Sequence, residues 1–341
     1  MKIRSLIALL AAASLGSVSA QNTAFTDPVG FFEVTLNPGF NFVSSGTANA
    51  VDYEGILDNT YTDTGAFSAG EFDQGATYPT HYLEIAEGVN EGARIDIASN
   101  TADTITPVDS PAGSAATFAG FLDGSTAAVI RKHRTISDIF GGAAGGTAPA
   151  DLQIDAGTSA AGADRILIWN GTGFNPPIFY NNFFIGSGWS GATDAGNLPI
   201  PPGAGLVVED NNGDSDVIVQ DGHVKVTNTI IDLPVGFSLI NSPVALDRTY
   251  SQLFGGSAGG TAPPDLVLQA GTSAAAADNI LTWNGSGFDA PAFYNNFFIG
   301  AGWSPGDNSI SFTDSFFVEV KTTPTSASVD FYDEDAGVAI P

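Results

Sequence analysis

The chain has 341 residues, with 10 Lys and Arg against 37 Asp and Glu, 41 glycines and no cysteine. A formal charge of −27 repels phosphate backbones, so nucleic acid is excluded as a partner, while divalent cations and a saline medium suit such a surface. Without disulfides or thiolate metal ligands the fold must rest on buried apolar surface, and this length allows two or three cores.

Residues 1–20, MKIRSLIALLAAASLGSVSA, read as a signal peptide. Lys2 and Arg4 lead an apolar stretch from Leu6 to Leu15, and Val18 and Ala20 stand at minus three and minus one of a cut after Ala20. The expectation is a secreted or cell-surface protein. Beyond residue 20 the balance is 8 basic against 37 acidic residues, or −29. No later segment approaches the roughly 18 apolar residues of a transmembrane helix.

From there the pattern is strand-like. FFEVTL, HYLEIA, ARIDIAS, AAVIRK, RILIWNG, GLVVE, DVIVQ, HVKVTN, FSLINS, FFVEV and SASVDFY are short runs rich in β-branched and aromatic residues, bounded by Gly, Asn, Asp or Pro. RTISDIFG and RTYSQLFG read as single helical turns ending at Gly141 and Gly255, with Thr135 and Asp138 placed as a capped start. GGAAGGTAPADLQIDAGTSAAGAD reads as loop with a short helix. In PIFYNNFFIG, Asn181-Asn182 between two apolar runs predicts a two-residue hairpin turn.

An internal repeat organises these elements. Arg134–Trp189 lies on Arg248–Trp303 at a constant offset of 114, with about 40 of 56 positions identical. Upstream, PGFNFVSS at Pro38 resembles VGFSLINS at Val235. The expectation is an all-β chain of tandem β-sandwich or β-barrel-like modules: a diverged module over 21–132, a first repeat over 133–228 and a second over 229–341.

The stretch HYLEIAEGVNEGARIDIASNTADTITPV from His81, with VIRKHRTISDIFG from Val129, WNGTGF from Trp169 and IPPGAG from Ile200, resembles an uncharacterised group of exported repeat proteins of Verrucomicrobia and Planctomycetes. The resemblance covers most of the chain beyond the signal peptide. It implies export and association with the cell surface, and it implies no activity and no functional residues. The second repeat carries ISFTDS from Ile310 where the first has IPPGAG, so that element is not essential to the module.

Candidate chemistry is sparse. His81, His133 and His223 form no metal-ligand spacing. RKHR at 131–134 is the one basic cluster after the signal peptide, read either as a docking patch for an acidic neighbour, such as another copy of the chain, or as local charge pairing. Gly188-Trp189-Ser190-Gly191-Ala192 misses the nucleophile-elbow pattern by its last residue. Asp151/Asp265 and Asp164/Asp278 recur beside Gly-rich turns, where turn chemistry accounts for them. In EDNNGDSDVIVQD, Asp210, Asn212, Asp214 and Asp221 fall at positions one, three, five and twelve of a calcium-like loop, but Ser215 stands where that loop needs Gly, and Asn211-Asn212-Gly213 reads equally as a turn.

The repeated aromatic segments WNGTGFNPPIFYNNFFIGSGW and WNGSGFDAPAFYNNFFIGAGW offer two readings. Trp169, Tyr180 and Trp189, with Trp283, Tyr294 and Trp303, are candidates to stack on sugars; alternatively the segments are core, with Phe184 and Phe298 among the buried rings. The leading functional expectation is a non-catalytic, exported structural or adhesive protein whose partners are other surface proteins or polysaccharide. A polysaccharide-binding protein is second and a glycosidase with unassigned acids third. No cofactor is expected unless calcium occupies the Asp210 loop.

Overall fold

A computed structural model describes residues 29–213 and 216–329. The expected signal peptide and Asp214 therefore lie outside the described residues. The fold is all-β, made of small antiparallel sheets, with three one-turn or two-turn α-helices among the described residues. Among the described residues no sheet closes on itself, so the barrel alternative is not realised. No described helix is long and apolar enough to cross a membrane.

In chain order, β1 (Val29–Thr35) and β2 (Gly39–Val43) are followed by β3 (Val51–Ile56), β4 (His81–Ile85), β5 (Arg94–Asn100), β6 (Ile105–Pro107), α1 (Ser114–Ala119) and β7 (Ala127–Lys132). Next come β8 (Arg134–Thr135), α2 (Ile136–Phe140), β9 (Arg165–Leu167), β10 (Phe179–Asn181), β11 (Gly188–Ser190), β12 (Pro199–Ile200), β13 (Leu206–Asp210) and β14 (Val217–His223). The rest is β15 (Thr229–Leu233), β16 (Gly236–Asn241), β17 (Arg248–Thr249), α3 (Tyr250–Phe254), β18 (Asn279–Leu281), β19 (Phe293–Asn295), β20 (Gly302–Ser304), β21 (Ser309–Ile310), β22 (Ser315–Val320) and β23 (Thr325–Val329).

The pairings divide the chain otherwise than the sequence does. β13 is flanked by β2 and β9, as β22 is flanked by β16 and β18. β1 pairs with β14 as β15 pairs with β23, and β8 with β12 as β17 with β21. Strands β1 and β2 thus complete the first repeat, and the likeness of PGFNFVSS to VGFSLINS is that of β2 to β16. Residues 51–132 form an insertion within that repeat, with their own five-stranded sheet in the order β3-β7-β4-β5-β6. A boundary at 132 separates β2 from its partner because such pairing joins residues far apart in sequence: Asn41 sits opposite Val208.

Each unit has its own core. The first repeat buries Val43, Ile139, Phe140, Ile166, Val208 and Ile218; the second buries Ile240, Leu253, Phe254, Ile280, Phe316 and Val318. The insertion buries Leu83, Ile85, Ile97, Phe118 and Ile130. Strand β4 is buried on both faces: Leu83 and Ile85 point into the insertion's core, whereas Glu84 meets the linker before β15. There the Lys225 ammonium lies 2.8 Å from the Glu84 carboxylate, with both side chains almost fully buried. Lys225 also donates to the Thr227 carbonyl and hydroxyl and to the Asn228 carbonyl, and Arg94 donates to the carbonyls of Pro202 and Ile230. The expected strand HVKVTN is therefore not a strand beyond His223; its lysine anchors the linker to the insertion.

The helical turns form where their caps predict. Thr135 and Asp138 make a reciprocal capping box, as do Thr249 and Gln252. Both helices end on a glycine, at φ 78° and ψ −159° for Gly141 and φ 77° and ψ −167° for Gly255, a region open only to glycine. A Cβ would lie 1.8 Å from the Asp151 carbonyl oxygen at Gly141 and 2.0 Å from that of Asp265 at Gly255. Replacing Gly255 by Ala is thus expected to cost more than about 2 kcal/mol, since backbone strain of roughly 1–3 kcal/mol adds to the clash; thermal unfolding of the variant checks it, and an unchanged midpoint refutes it. The Gly/Ala-rich loop after each helix contains no helix.

Candidate functional site

The repeated aromatic segment divides into three parts with different fates. In the first, Trp169-Asn170-Gly171-Thr172-Gly173-Phe174 folds as a tight turn. The Asn170 side-chain oxygen accepts from the Thr172 and Gly173 amides, Gly171 takes φ 94°, and the turn sets the Trp169 and Phe174 rings edge to face at 5.2 Å. Asn284 repeats this and sets Trp283 against Phe288, again at 5.2 Å.

Each of these turns reaches across to the other repeat. The Trp169 indole donates to the Phe237 carbonyl on β16 at 2.7 Å, and the Trp283 indole donates to the Phe40 carbonyl on β2 at 2.9 Å. The backbone answers in kind: Ser44 N–H donates to Thr313 O at 2.9 Å, and Asn241 N–H to Gly203 O at 3.0 Å. Reciprocal contacts of this sort mark a local two-fold arrangement, the same surfaces used by both halves. Between the repeats Leu167, Val207, Leu239 and Phe317 form a small buried cluster.

Above that cluster the two Trp–Phe pairs, with Phe40, Phe42 and Phe237, frame an open cleft of about 470 Å³. Every side chain lining it is apolar. Phe317 is its hub, edge-on to Trp169 at 5.1 Å, to Phe42 at 5.9 Å and to Phe288 at 5.9 Å. Phe174 and Phe288 are nearly half exposed on its rim.

In the second part, Tyr180 and Tyr294 are fully buried, each donating its hydroxyl to a glycine carbonyl, Gly146 or Gly260, at 2.9 Å. Trp189 and Trp303 pack edge-on against them and donate to the Gly141 and Gly255 carbonyls. These four rings clamp the Gly-rich loop; of the six expected ligand-stacking residues, Trp169 and Trp283 line the cleft between the repeats.

In the third part, the hairpins β10–β11 and β19–β20 turn through six residues, 182–187 and 296–301, rather than through Asn181-Asn182. Their tips are solvent-facing: Phe184 is 87% exposed and Phe298 88%, with Phe183, Ile185, Phe297 and Ile299 also exposed. This corrects the expectation that Phe184 and Phe298 are core. An apolar run shows periodicity but not the side on which its strand ends.

Of the expected calcium loop, Asp210, Asn212 and Asp221 are described, and each has a local role. The Asp210 carboxylate caps its own turn, accepting from Asn212 and Gly213 amides, and the Asn212 side chain donates to Asp155. Asp221 lies five residues along β14 from Asp216, about 17 Å at strand rise. What the loop does approach is a group missed in the sequence: Asp155, Asp164 and Asp216, with one carboxylate oxygen of each within 4.8 Å of the others. Asp164 serves there as a staple, one oxygen accepting from Asn211 N and the other from Asp155 N, both at 2.9 Å. Asp278 makes the same two bonds to Lys321 N and Gln269 N in the second repeat. Asp151 and Asp265 likewise hold turns, accepting from Gly142 and Gly256.

The basic cluster is not a docking patch. Arg131, His133 and Arg134 are buried, and only Lys132 is exposed. The His133 Nε2 lies 2.9 Å from Asp96, and Arg134 donates to the Thr47 hydroxyl and to the Asp221 and Asp138 carbonyls. A cleft of about 570 Å³ between the insertion and the repeats includes Arg94, Asp96, His133 and Asp232. Its arginine is engaged by the Pro202 and Ile230 carbonyls, and Ser114 there turns to Asp109 rather than to the histidine. His81, whose affinity for a proton burial lowers, lies 3.4 Å from Asp52, and His223 pairs through its backbone with Ala48. No family model, curated protein or solved structure matches the chain.

Proposed function

We propose that this is an exported, non-catalytic β-repeat protein with a structural or adhesive role at the cell surface, and that the aromatic cleft between its repeats is the place where it holds on. The observation that carries the reading is the cleft itself. Both repeats build it, both tryptophans are fixed by backbone hydrogen bonds, and its lining offers apolar surface without a titratable group. Such a lining favours an apolar partner over polysaccharide, whose hydroxyls need polar groups to fix them. The strongly acidic chain suits such a protein to a saline medium.

Fractionation of the native cells tests this. The wild-type chain is expected in the surface fraction, and a Phe174→Ser, Phe288→Ser double variant in the medium. Recovery of the wild type inside the cell, or equal retention of both chains, overturns the reading.

A further inference from the structure

Two exposed features of the molecule match each other. The hairpin tips Phe183-Phe184-Ile185 and Phe297-Phe298-Ile299 present apolar side chains to solvent, and the cleft of about 470 Å³ presents apolar walls. Neither tip occupies the cleft of its own chain, since Phe184 and Phe298 are 87% and 88% exposed. We propose that the tip of one copy seats in the aromatic cleft of another, so that the chain assembles with itself head to tail. This rests on the reading of the cleft as the binding point and names its occupant.

The tips are built to keep their shape. Asn181 donates to the Gly186 carbonyl at 3.1 Å and accepts from the Phe183 amide at 2.9 Å, and Asn182 N–H donates to Gly157 O at 3.1 Å. The second tip repeats each bond, through Asn295, Phe297 and Asn296. A loop already held in one form loses little freedom when it docks. The cleft falls within the roughly 300–1,000 Å³ range of pockets that enclose small ligands, so it has room for a tip's side chains. It also continues the inter-repeat cluster of Leu167, Val207, Leu239 and Phe317, so an inserted tip extends an apolar interface already present.

Area and number then set the kind of assembly. Three side chains bury far less than the roughly 800 Å² per partner of a stable complex, so one contact is weak and reversible. Each chain carries two tips and one cleft, and a knob that meets a hole elsewhere on the molecule makes a contact that does not close into a dimer. Each cleft takes one tip, so every junction is a single weak contact, and head-to-tail growth into rings or open filaments is driven by concentration. The charge of −27 opposes the approach of copies, so assembly is expected to strengthen as salt screens it.

Sedimentation velocity of the purified full chain tests this. The weight-average mass of the wild type is expected to rise with concentration and between low salt and about 0.5 M NaCl, where the screening length falls below roughly 8 Å. A Phe184→Ser, Phe298→Ser tip variant and the Phe174→Ser, Phe288→Ser cleft variant are each expected to remain monomeric. Mixed together they should associate, since the first keeps a cleft and the second keeps tips. The tip variant changes only exposed side chains, so its fold, read by circular dichroism, should match the wild type. A monomeric wild type, self-association of the tip variant, or a mixture that stays monomeric overturns the inference, whatever cell fractionation shows. A monomeric wild type that co-sediments with phosphatidylcholine vesicles through its tips also overturns it, assigning the tips to a lipid surface.

Discussion

Replacing Lys225 by Met is expected to lower the free energy of unfolding by about 3–5 kcal/mol, because it leaves the Glu84 carboxylate buried without its countercharge. Glu84 is fully buried; its Oε1 meets Lys225 at 2.8 Å and accepts from the Thr227 hydroxyl, and its Oε2 has no hydrogen-bond partner among the described residues. Denaturant unfolding followed by circular dichroism measures the loss. A Glu84→Met, Lys225→Met double variant should regain most of it, since two apolar side chains remove both charges. It should not regain all, because the Thr227 and Asn228 carbonyls lose their donor. If Lys225→Met unfolds at the wild-type midpoint, the pair is not the anchor described. Burial pulls the Lys225 ammonium down to about 8, against the attraction of Glu84. Between pH 8 and the ordinary 10.5 the unfolded chain then holds a proton that the folded chain has released. Stability gains with rising pH across that window, and the Lys225→Met variant should lack this rise.

A second result separates core from tip. Phe254→Ala is expected to cost about 3–5 kcal/mol, the range for emptying a buried aromatic site. Phe254 is almost fully buried, and its ring lies 6.3 Å from that of Phe316 and 6.4 Å from that of Trp303. Phe298→Ala, at a tip, should change stability by less than about 0.5 kcal/mol. Equal losses for the two variants would falsify the placement of the tip in solvent.

The contrast shows what the sequence carried. Strand periodicity, the cap at Thr135 and the glycine stops were legible because each is a local requirement, satisfied within a few residues. Phe184 was not, because apolar character names a preference for burial while the hairpin's direction decides whether a neighbour is there to bury it. Arg131 and His133 read as surface for the opposite reason: a basic side chain is buried only where distant residues meet it, as Asn49 O meets Arg131 and Asp96 meets His133. Trp169 and Trp283 were picked out, but their common cleft depends on Phe40 and Phe237, whose strands come from opposite halves of the chain. The strand pair PGFNFVSS and VGFSLINS carried a true likeness; its assignment to a third module failed because 51–132 interrupts the first.

That interruption has a consequence for how the first repeat closes. Asn41 and Val208 face each other across 167 residues, whereas Ser238 and Val318, their counterparts, are 80 apart. Each doubling of a flexible loop adds only about 0.6 kcal/mol of closure entropy. Even this is removed once the insertion has folded, because its first and last strands lie side by side, with Val51 opposite Arg131. The chain leaves β2 and re-enters at β8 through neighbouring doors, and the effective loop shrinks to the length that the second repeat already manages without an insertion.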